Sequence, residues 1–285
     1  MIVSAAIIPH GTMVLDPNRA NLPDGAAALN TACQAAARLV SESKPTTIVL
    51  ITPHSLSLTH STAVPLGPEA KGNAEWNGNW NEFEAHVAIS PLSPNFVEFM
   101  RERGHPVEGL SAFSRMPCPL RWAECVPIHF LAKEPALATV PFLIISPSRG
   151  KSVSTNLEFG ASLFAFLEAQ DERFSVVVSG DLSHGHATTV NDPLYLPDPR
   201  WNMPVCDTIA KEFDSTIAEW VTSGNRNLLI EKSAGIVKEA MSCGFDGFLW
   251  LQGGIDSLKE KWTFRGQVLE NLSPSYFGMM VATFS

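Results

Sequence analysis

Three histidines follow apolar runs that are typical of buried strands, and their placement points to chemistry. His10 and His54 each come directly after a proline at the end of such a run, and His184 follows a polar turn. In open α/β sheets, ligands bind at the carboxyl ends of the strands. Imidazoles are common metal ligands and titrate near neutral pH, so these residues predict a metal site with a proton-transfer group beside it. The three apolar runs are 2–8, 47–51 and 175–178.

The first two histidines form the predicted metal-binding pair. A proline fixes its own φ and restricts the residue before it, so Pro9 and Pro53 help to aim His10 and His54 reproducibly. Two imidazoles suit Fe, Zn, Cu or Ni. A carboxylate added to them gives the facial arrangement of non-heme Fe(II) oxygenases.

His184 is predicted to be a general acid or base. It stands at the end of a flexible polar turn, where Asp181 or Ser183 can orient its ring. His186 lies two residues further on and is expected to be the solvent-facing member of the pair.

Strand-like runs alternate with helix-like runs along the chain. This order predicts an α/β protein: a single domain over 1–285 with an α/β/α layered fold, a central mostly parallel sheet, and the metal site at the carboxyl ends of its strands. Helix propensity and apolar spacing predict helices at 26–40, 156–167 and 206–221, and further strands at 140–145 and 276–284.

Composition excludes several classes of partner. The formal charge is −9, from 29 acidic and 20 basic residues, with no Lys/Arg cluster, so a nucleic-acid partner is not expected. No apolar run is long enough to span a membrane, and the N-terminus reads as a strand rather than a signal peptide. The five cysteines are scattered and odd in number, which predicts a reducing compartment, the cytoplasm.

Two loops are candidates for covering the site. The turn-rich stretch 72–81 carries two tryptophans and is interpreted as a surface excursion docked on the core, with a substrate flap as the alternative. The loop 191–200 follows the third histidine and is a candidate cover for the same site.

Together these motifs resemble a known family. The order Pro9-His10-Gly11, Pro53-His54-Ser55, Val-Pro-Ile-His-Phe-Leu at 126–131 and Ser-Gly-Asp-Leu-Ser-His at 179–184 resembles the class III extradiol ring-cleavage dioxygenases. It is also similar to their non-oxygenase relatives, the Memo proteins. The resemblance covers nearly the whole chain and implies that His10 and His54 are metal ligands and that His184 is the acid/base histidine.

The resemblance also implies a third protein ligand near the C-terminus. Ring-cleaving members supply a glutamate there, whereas Memo-type members have a Cys-Gly pair that matches Cys243-Gly244. On one continuous helix, Glu239, Cys243 and Asp246 would share a face. Because Fe(II) that activates O2 favours a hard anionic ligand, Glu239 is the predicted ligand, with Cys243 and Asp246 as alternatives.

The substrate-binding residues depart from the family pattern. Many ring-cleaving relatives have an Asp-His pair at the positions of Arg121 and Trp122. Arg121 and Glu124 are instead predicted to recognise the substrate, for example one bearing a carboxylate. His129 lies on an apolar run and is interpreted as a core or strand residue.

The predicted function is a non-heme Fe(II) extradiol dioxygenase that opens a catecholic or related aromatic ring with O2, with Zn(II) or another divalent metal as alternatives. The second hypothesis is a Memo-like metal-binding protein or a non-catalytic partner subunit, and the third is a Zn(II) hydrolase. Like many relatives, the chain is expected to form a homo-oligomer or to pair with a partner subunit.

Overall fold

A six-stranded sheet forms the centre of the protein. The computed structural model describes residues 1–74, 83–148, 150–258 and 265–285. The strands in chain order are β1 (Ile2–Ile8), β2 (Thr47–Ile51), β3 (Thr62–Pro65), β4 (Glu69–Asn73), β5 (Glu84–Ala88), β6 (Val107–Leu110), β7 (Cys118–Leu120), β8 (Phe142–Ile145), β9 (Phe174–Ser179), β10 (Gly266–Leu272) and β11 (Met279–Phe284).

The strand order of this sheet is β10-β11-β1-β9-β2-β8. The four strands β1, β9, β2 and β8 are parallel neighbours, and β11 and β10 complete one edge in antiparallel pairing. The predicted mostly parallel sheet is therefore confirmed. Strands β3 and β6 form a small parallel pair, and β5, β4 and β7 form a three-stranded sheet.

Helices cover both faces of the central sheet. Successive strand side chains point to opposite faces: Ile7 and Val49 belong to one apolar cluster, and Ile8 and Leu50 belong to the other. The helices are α1 (Ala26–Glu42), α2 (Ser93–Glu102), α3 (Trp122–Ala132), α4 (Val153–Glu168), α5 (Asp207–Ser223), α6 (Ala234–Ala240) and α7 (Phe245–Ser257). The first cluster includes side chains of α4, α5 and α7, and the second includes side chains of α1 and α3, which confirms the α/β/α layering.

Helices α4 and α7 pack so closely that glycine is required where they cross. A Cβ on Gly160 would lie 2.0 Å from the carbonyl oxygen of Trp250, and one on Gly253 would lie equally close to that of Leu157. The ring of Phe159 stacks on Trp250 with centroids 3.9 Å apart. Helix α4 thus supports the middle of α7, whose first residues line the candidate site.

Two local predictions differ from the structure in part. His129 was interpreted as a core or strand residue; residues 126–131 lie in helix α3, so the strand alternative is wrong, and the ring of His129 packs against Phe83 and Phe130. The last strand begins at Met279, because residues 276–278 turn toward the candidate site. The stretch 72–81 falls mostly on residues 75–82, outside the described part of the chain. Within the described residues, every helix is too short or too polar to cross a membrane.

Candidate metal centre

The sheet order brings the three predicted histidines to one edge. Strand β9 lies between β1 and β2 and is parallel to both, with Ile8 paired to Ser179 and Ile51 paired to Val178. Their carboxyl ends therefore lie side by side, and the turns that follow carry His10, His54 and His184. The rings of His10 and His54 meet edge to face with centroids 5.1 Å apart.

A thiol lies beside these two rings. One donor atom each from His10, His54 and Cys243 lies within 4.8 Å of the other two, close enough for one ion to bind all three. Donor atoms of Asp181, His184 and Cys243 are equally close together. Cys243 thus belongs to both groups, and its Sγ is 3.5 Å from Nε2 of His10.

The position of the proton on the His10 ring follows from a chain of hydrogen bonds that begins at a proline in helix α3. Pro127 has no N–H for the carbonyl of Ala123, four residues earlier in α3, and this carbonyl instead accepts the hydroxyl of Ser179. The Ser179 oxygen must then accept from Nδ1 of His10, at 3.0 Å. The proton is therefore assigned to Nδ1, and the lone pair of Nε2 faces Cys243 and the group of donors.

Burial keeps the His10 ring neutral. Burial, together with a smaller contribution from the nearby His184, lowers the pKa of His10 to about 3. A neutral ring with its second nitrogen held by a hydrogen bond is the form in which histidine binds metals. The chemistry of the donor set therefore fits a divalent transition metal.

Asp181 packs against His10. Its Oδ1 accepts the backbone N–H of His10 at 2.9 Å, and its Oδ2 lies 3.4 Å from Nε2 of the ring. Burial raises the pKa of Asp181 to about 6, whereas the charge of His184 opposes this rise. The hydroxyl of Ser183 bonds to the ring of His186 at 3.0 Å.

His184 lines the same cavity as the metal-site residues. Its ring stacks on Phe277 with centroids 5.6 Å apart and planes inclined by 20°, and Tyr276 lies beside it. Neither aromatic residue was predicted to belong to the site, because residues 276–284 were predicted to form the last strand. The glycine at 278, directly after two rings, was the signal for a turn there.

The segment between α6 and α7 differs from the continuous helix considered from sequence. Helix α6 ends at Ala240, and Met241 adopts the left-handed conformation with φ 57°. Glu239 is consequently an exposed residue of α6 outside the cavity lining. Asp246 lines the cavity and accepts a hydrogen bond from Asn156. Of the three candidates for the third ligand, Cys243 alone joins His10 and His54 in the metal-ligating groups found among the described residues.

The two predicted substrate-binding residues lie at the start of α3. Arg121 is exposed, and Glu124 is fully buried, with Oε2 accepting the backbone N–H of Arg121 at 2.9 Å. Neither is part of the cavity lining. Between them, Trp122 stacks on His54 with centroids 5.4 Å apart and does line the cavity.

The cavity beside the donors has a volume of about 1130 Å³, slightly above the usual range for small-molecule sites. Leu194 and Tyr195 line it, so the loop 191–200 borders the site as predicted. Lys151 also lines the cavity and was not considered from sequence. It follows β8, the fourth parallel strand, whose carboxyl end faces the same edge.

Comparison with known proteins agrees with this architecture. The structure is similar to the crystal structure of uncharacterized protein JW3007 from Escherichia coli K12, with a TM-score of 0.59, 15% sequence identity and 99% of each chain covered. At this identity the likeness shows a shared fold. Residues 4–273 match the family described as the catalytic LigB subunit of aromatic ring-opening dioxygenase, and the chain belongs to this family. The resemblance inferred from the motifs is thus confirmed. A search of curated proteins found no significant match.

Proposed function

We propose that the protein is a non-heme Fe(II) extradiol dioxygenase that opens a catecholic ring with O2. The observation that carries the proposal is the group His10, His54 and Cys243, with donor atoms within 4.8 Å of one another and His184 beside them in one large cavity. Membership of the ring-opening dioxygenase family supports the same reaction class.

His10, His54 and Cys243 would hold the metal, with Cys243 in the position that sequence analysis assigned to Glu239. When bound, Fe(II) would supply a Lewis-acidic centre and the electrons that O2 requires. Zn(II) fits the same donors but supplies no redox chemistry.

His184 would move the protons of the reaction. Its ring lies beside the donor group, where it can take a proton from a substrate hydroxyl and later donate it, as an acid, when the bond between the two oxygen atoms is cleaved. Burial raises the pKa of Tyr276 to about 12, so its hydroxyl stays protonated near neutral pH. Tyr276 can therefore donate a hydrogen bond to a substrate oxygen.

Lys151 would recognise an acidic substituent on the ring. Its Nζ is buried at the cavity and has no hydrogen-bond partner among the described residues. A carboxylate of the substrate would supply the missing acceptor. We assign this role to Lys151 rather than to Arg121 and Glu124, since both lie outside the cavity lining.

Oxygen uptake tests the reaction. The protein is loaded anaerobically with Fe(II), its iron content is measured, and O2 consumption is followed with catechol, protocatechuate and 2-aminophenol. We expect stoichiometric iron, uptake with at least one substrate and formation of a coloured ring-opened product. Stoichiometric iron without O2 consumption on any of them would count against the dioxygenase.

A charge-neutral variant tests the substrate assignment. Lys151→Met should raise KM for protocatechuate about 10- to 100-fold, as expected for loss of a hydrogen bond to a charged group. The KM for unsubstituted catechol should change less than twofold. Equal effects on both substrates would remove Lys151 from carboxylate recognition.

A Memo-like metal-binding protein without ring cleavage is the second candidate. It is favoured by Cys243, because a thiolate is softer than a carboxylate and is itself oxidisable. The indole of Trp122 beside His54, where many relatives have a histidine, favours it further. Tight binding of Zn(II) or Cu(I), together with no O2 uptake after Fe(II) loading, would support this candidate.

The cellular setting follows from the cysteines. All five are free thiols, and one of them lies in the candidate metal centre, which requires a reducing compartment such as the cytoplasm. We also propose that the chain forms a homo-oligomer or pairs with a partner subunit. Light scattering of the purified protein, alone and in a co-expression with neighbouring gene products, would test this.

A further inference from the structure

Two histidines that are two residues apart have opposite surroundings. His184 lines the cavity, whereas His186 is only 4% exposed, lies outside the cavity lining and packs against helix α5. The expectation that His186 faces solvent is therefore wrong. Burying a polar ring costs free energy unless the ring is hydrogen-bonded, so the partners of His186 explain why it is buried beside a candidate acid/base residue.

A single carboxylate holds both sides of His184. On α5, Oδ1 of Asp214 accepts the backbone N–H of Ser183 at 3.0 Å, and its Oδ2 lies 2.7 Å from Nε2 of His186. The same ring nitrogen is 3.0 Å from the hydroxyl of Ser183. Residues 183 and 186, on either side of His184 in the sequence, thus both bind the side chain of Asp214.

The second nitrogen of the buried ring also faces a carboxylate. Nδ1 of His186 lies 3.6 Å from Oδ1 of Asp207, which also accepts the backbone N–H of Ala187 at 3.2 Å. Helix α5 therefore contacts the turn through two acidic residues, 207 and 214, seven residues and about two helical turns apart.

Asp214 also contacts the segment on which the His184 ring rests. A Cβ on Gly278 would lie 1.8 Å from Oδ2 of Asp214, so only glycine lets the backbone pass the carboxylate. The N–H of Gly278 donates to the carbonyl of Ser183, and its own carbonyl accepts from Leu182. Phe277, which stacks on His184, is thereby held in the same arrangement as the turn.

We propose that Asp214 is a positioning residue: through Ser183 and His186 it fixes the turn so that the His184 ring is held over Phe277 and toward the donor group. Asp214 lies outside the cavity lining, so it acts only through His184. The catalytic consequence rests on the proposed function, but the fixed orientation of the ring does not.

Asp214→Asn tests the proposal because it keeps the size of the side chain and removes its charge. With Fe(II) loaded, we expect kcat to fall by about 100-fold, the scale of a 1 Å misplacement of a catalytic group. Iron content and KM should stay within twofold. Asp256→Asn is the matched control, since Asp256 accepts from Gln252 and Arg226 on the far side of α7 and should leave kcat unchanged.

A double-mutant cycle separates positioning from general stabilisation. In a His184→Ala background, Asp214→Asn should cause no further loss of the single-turnover rate, because the group that it positions is absent. An additive loss, or a loss of iron and KM together with kcat, would overturn the proposal. If Asp214→Asn does not fold, His186→Gln serves in its place with the same expectations.

A measurement without activity distinguishes failure of this proposal from failure of the proposed function. In metal-free protein labelled with 15N-histidine, the His184 ring resonances should shift or broaden in Asp214→Asn and stay in place in Asp256→Asn. This result would support the positioning role even if no substrate consumes O2. Unchanged His184 resonances in Asp214→Asn would overturn it.

Discussion

Two regions bring metal donors to the same place by different means. The first is the pair of turns after β1 and β2, and the second is the segment between α6 and α7. His10 and His54 each follow a buried strand, and the parallel pairing of β1, β9 and β2 sets their separation. Cys243 lies between two helices, α6, which ends at Ala240, and α7, which begins at Phe245. Its segment is held by backbone bonds to the β9 turn, including Gly244 N–H to the Asp181 carbonyl and His184 N–H to the Ala240 carbonyl.

This difference explains why the positions of His10 and His54 were predictable from the sequence whereas that of Cys243 was not. A strand end has a position that follows from the order of the sheet, whereas a helix junction has a position that depends on every contact around it. We refer to the first region as the strand-end turns (residues 9–11 and 52–55, with residues 121–124 packed on them) and to the second as the helix junction (residues 239–246).

The largest expected effect is the loss of a strand-end ligand. His10→Ala and His54→Ala should each weaken metal binding by more than about 100-fold, since even outer-shell partners of metal ligands contribute about 10- to 100-fold. Metal content after dialysis and competition with a chelator measure this. The exposed His60→Ala is the matched control and should retain the metal. Retention of metal in both ligand variants would remove the site from the strand-end turns.

The strand-end turns should also make stability depend on pH. Burial raises the pKa of Glu124 to about 7 from 4.5, although hydrogen bonds from Ser55 and Arg121 lower it in part. The unfolded state ionises first as pH rises from 4.5, so the folded state loses stability up to pH 7, by at most about 3 kcal/mol. Glu124→Gln should remove this loss. The gain in unfolding free energy of the variant over the unmodified protein should therefore be larger at pH 8 than at pH 4.5.

Urea unfolding of both proteins at several pH values measures this difference. The same pH dependence in the Glu124→Gln variant would show that Glu124 does not carry the raised pKa.

The next effect compares two residues of the helix junction. Cys243→Ala should also weaken metal binding by more than about 100-fold, because one of three direct donors is lost and even outer-shell partners contribute about 10- to 100-fold. Glu239→Gln should leave it within twofold, since Glu239 is exposed outside the cavity. Calorimetric titration with Zn(II) measures both. If Glu239→Gln weakens metal binding and Cys243→Ala does not, Glu239 would be the third ligand, like the glutamate of the ring-cleaving family members.

The smallest expected effect concerns the backbone of the helix junction. Met241 has φ 57°, a conformation that glycine adopts without steric cost. Met241→Gly should relieve about 1 kcal/mol of strain, partly offset by the larger entropy of the unfolded chain. Urea unfolding measures the net change, with Lys238→Gly in the right-handed part of α6 as the control that should only destabilise.

Much of the fold was predictable because it depends on local patterns. The parallel strands and the helices over 26–40, 156–167 and 206–221 were predicted from apolar spacing, and the observed helices extend these ranges by a few residues. The apolar run at 126–131 left His129 open as a core or strand residue, because such a run fits a buried strand and a buried helix equally well. In helix α3 its proline leaves the Ala123 carbonyl available to accept from Ser179.

The apolar runs were enough to predict that three histidines follow buried strands, and strand order then places them at one edge of the sheet. The order of the short motifs was enough to identify the family. Which residue of 239–246 comes near the histidines depends instead on the tertiary fold, because the left-handed Met241 ends α6 and turns Glu239 away. The tertiary fold likewise decided that His184 faces the cavity while His186 is held by Asp214, since both histidines lie in an irregular turn whose shape is set by distant contacts.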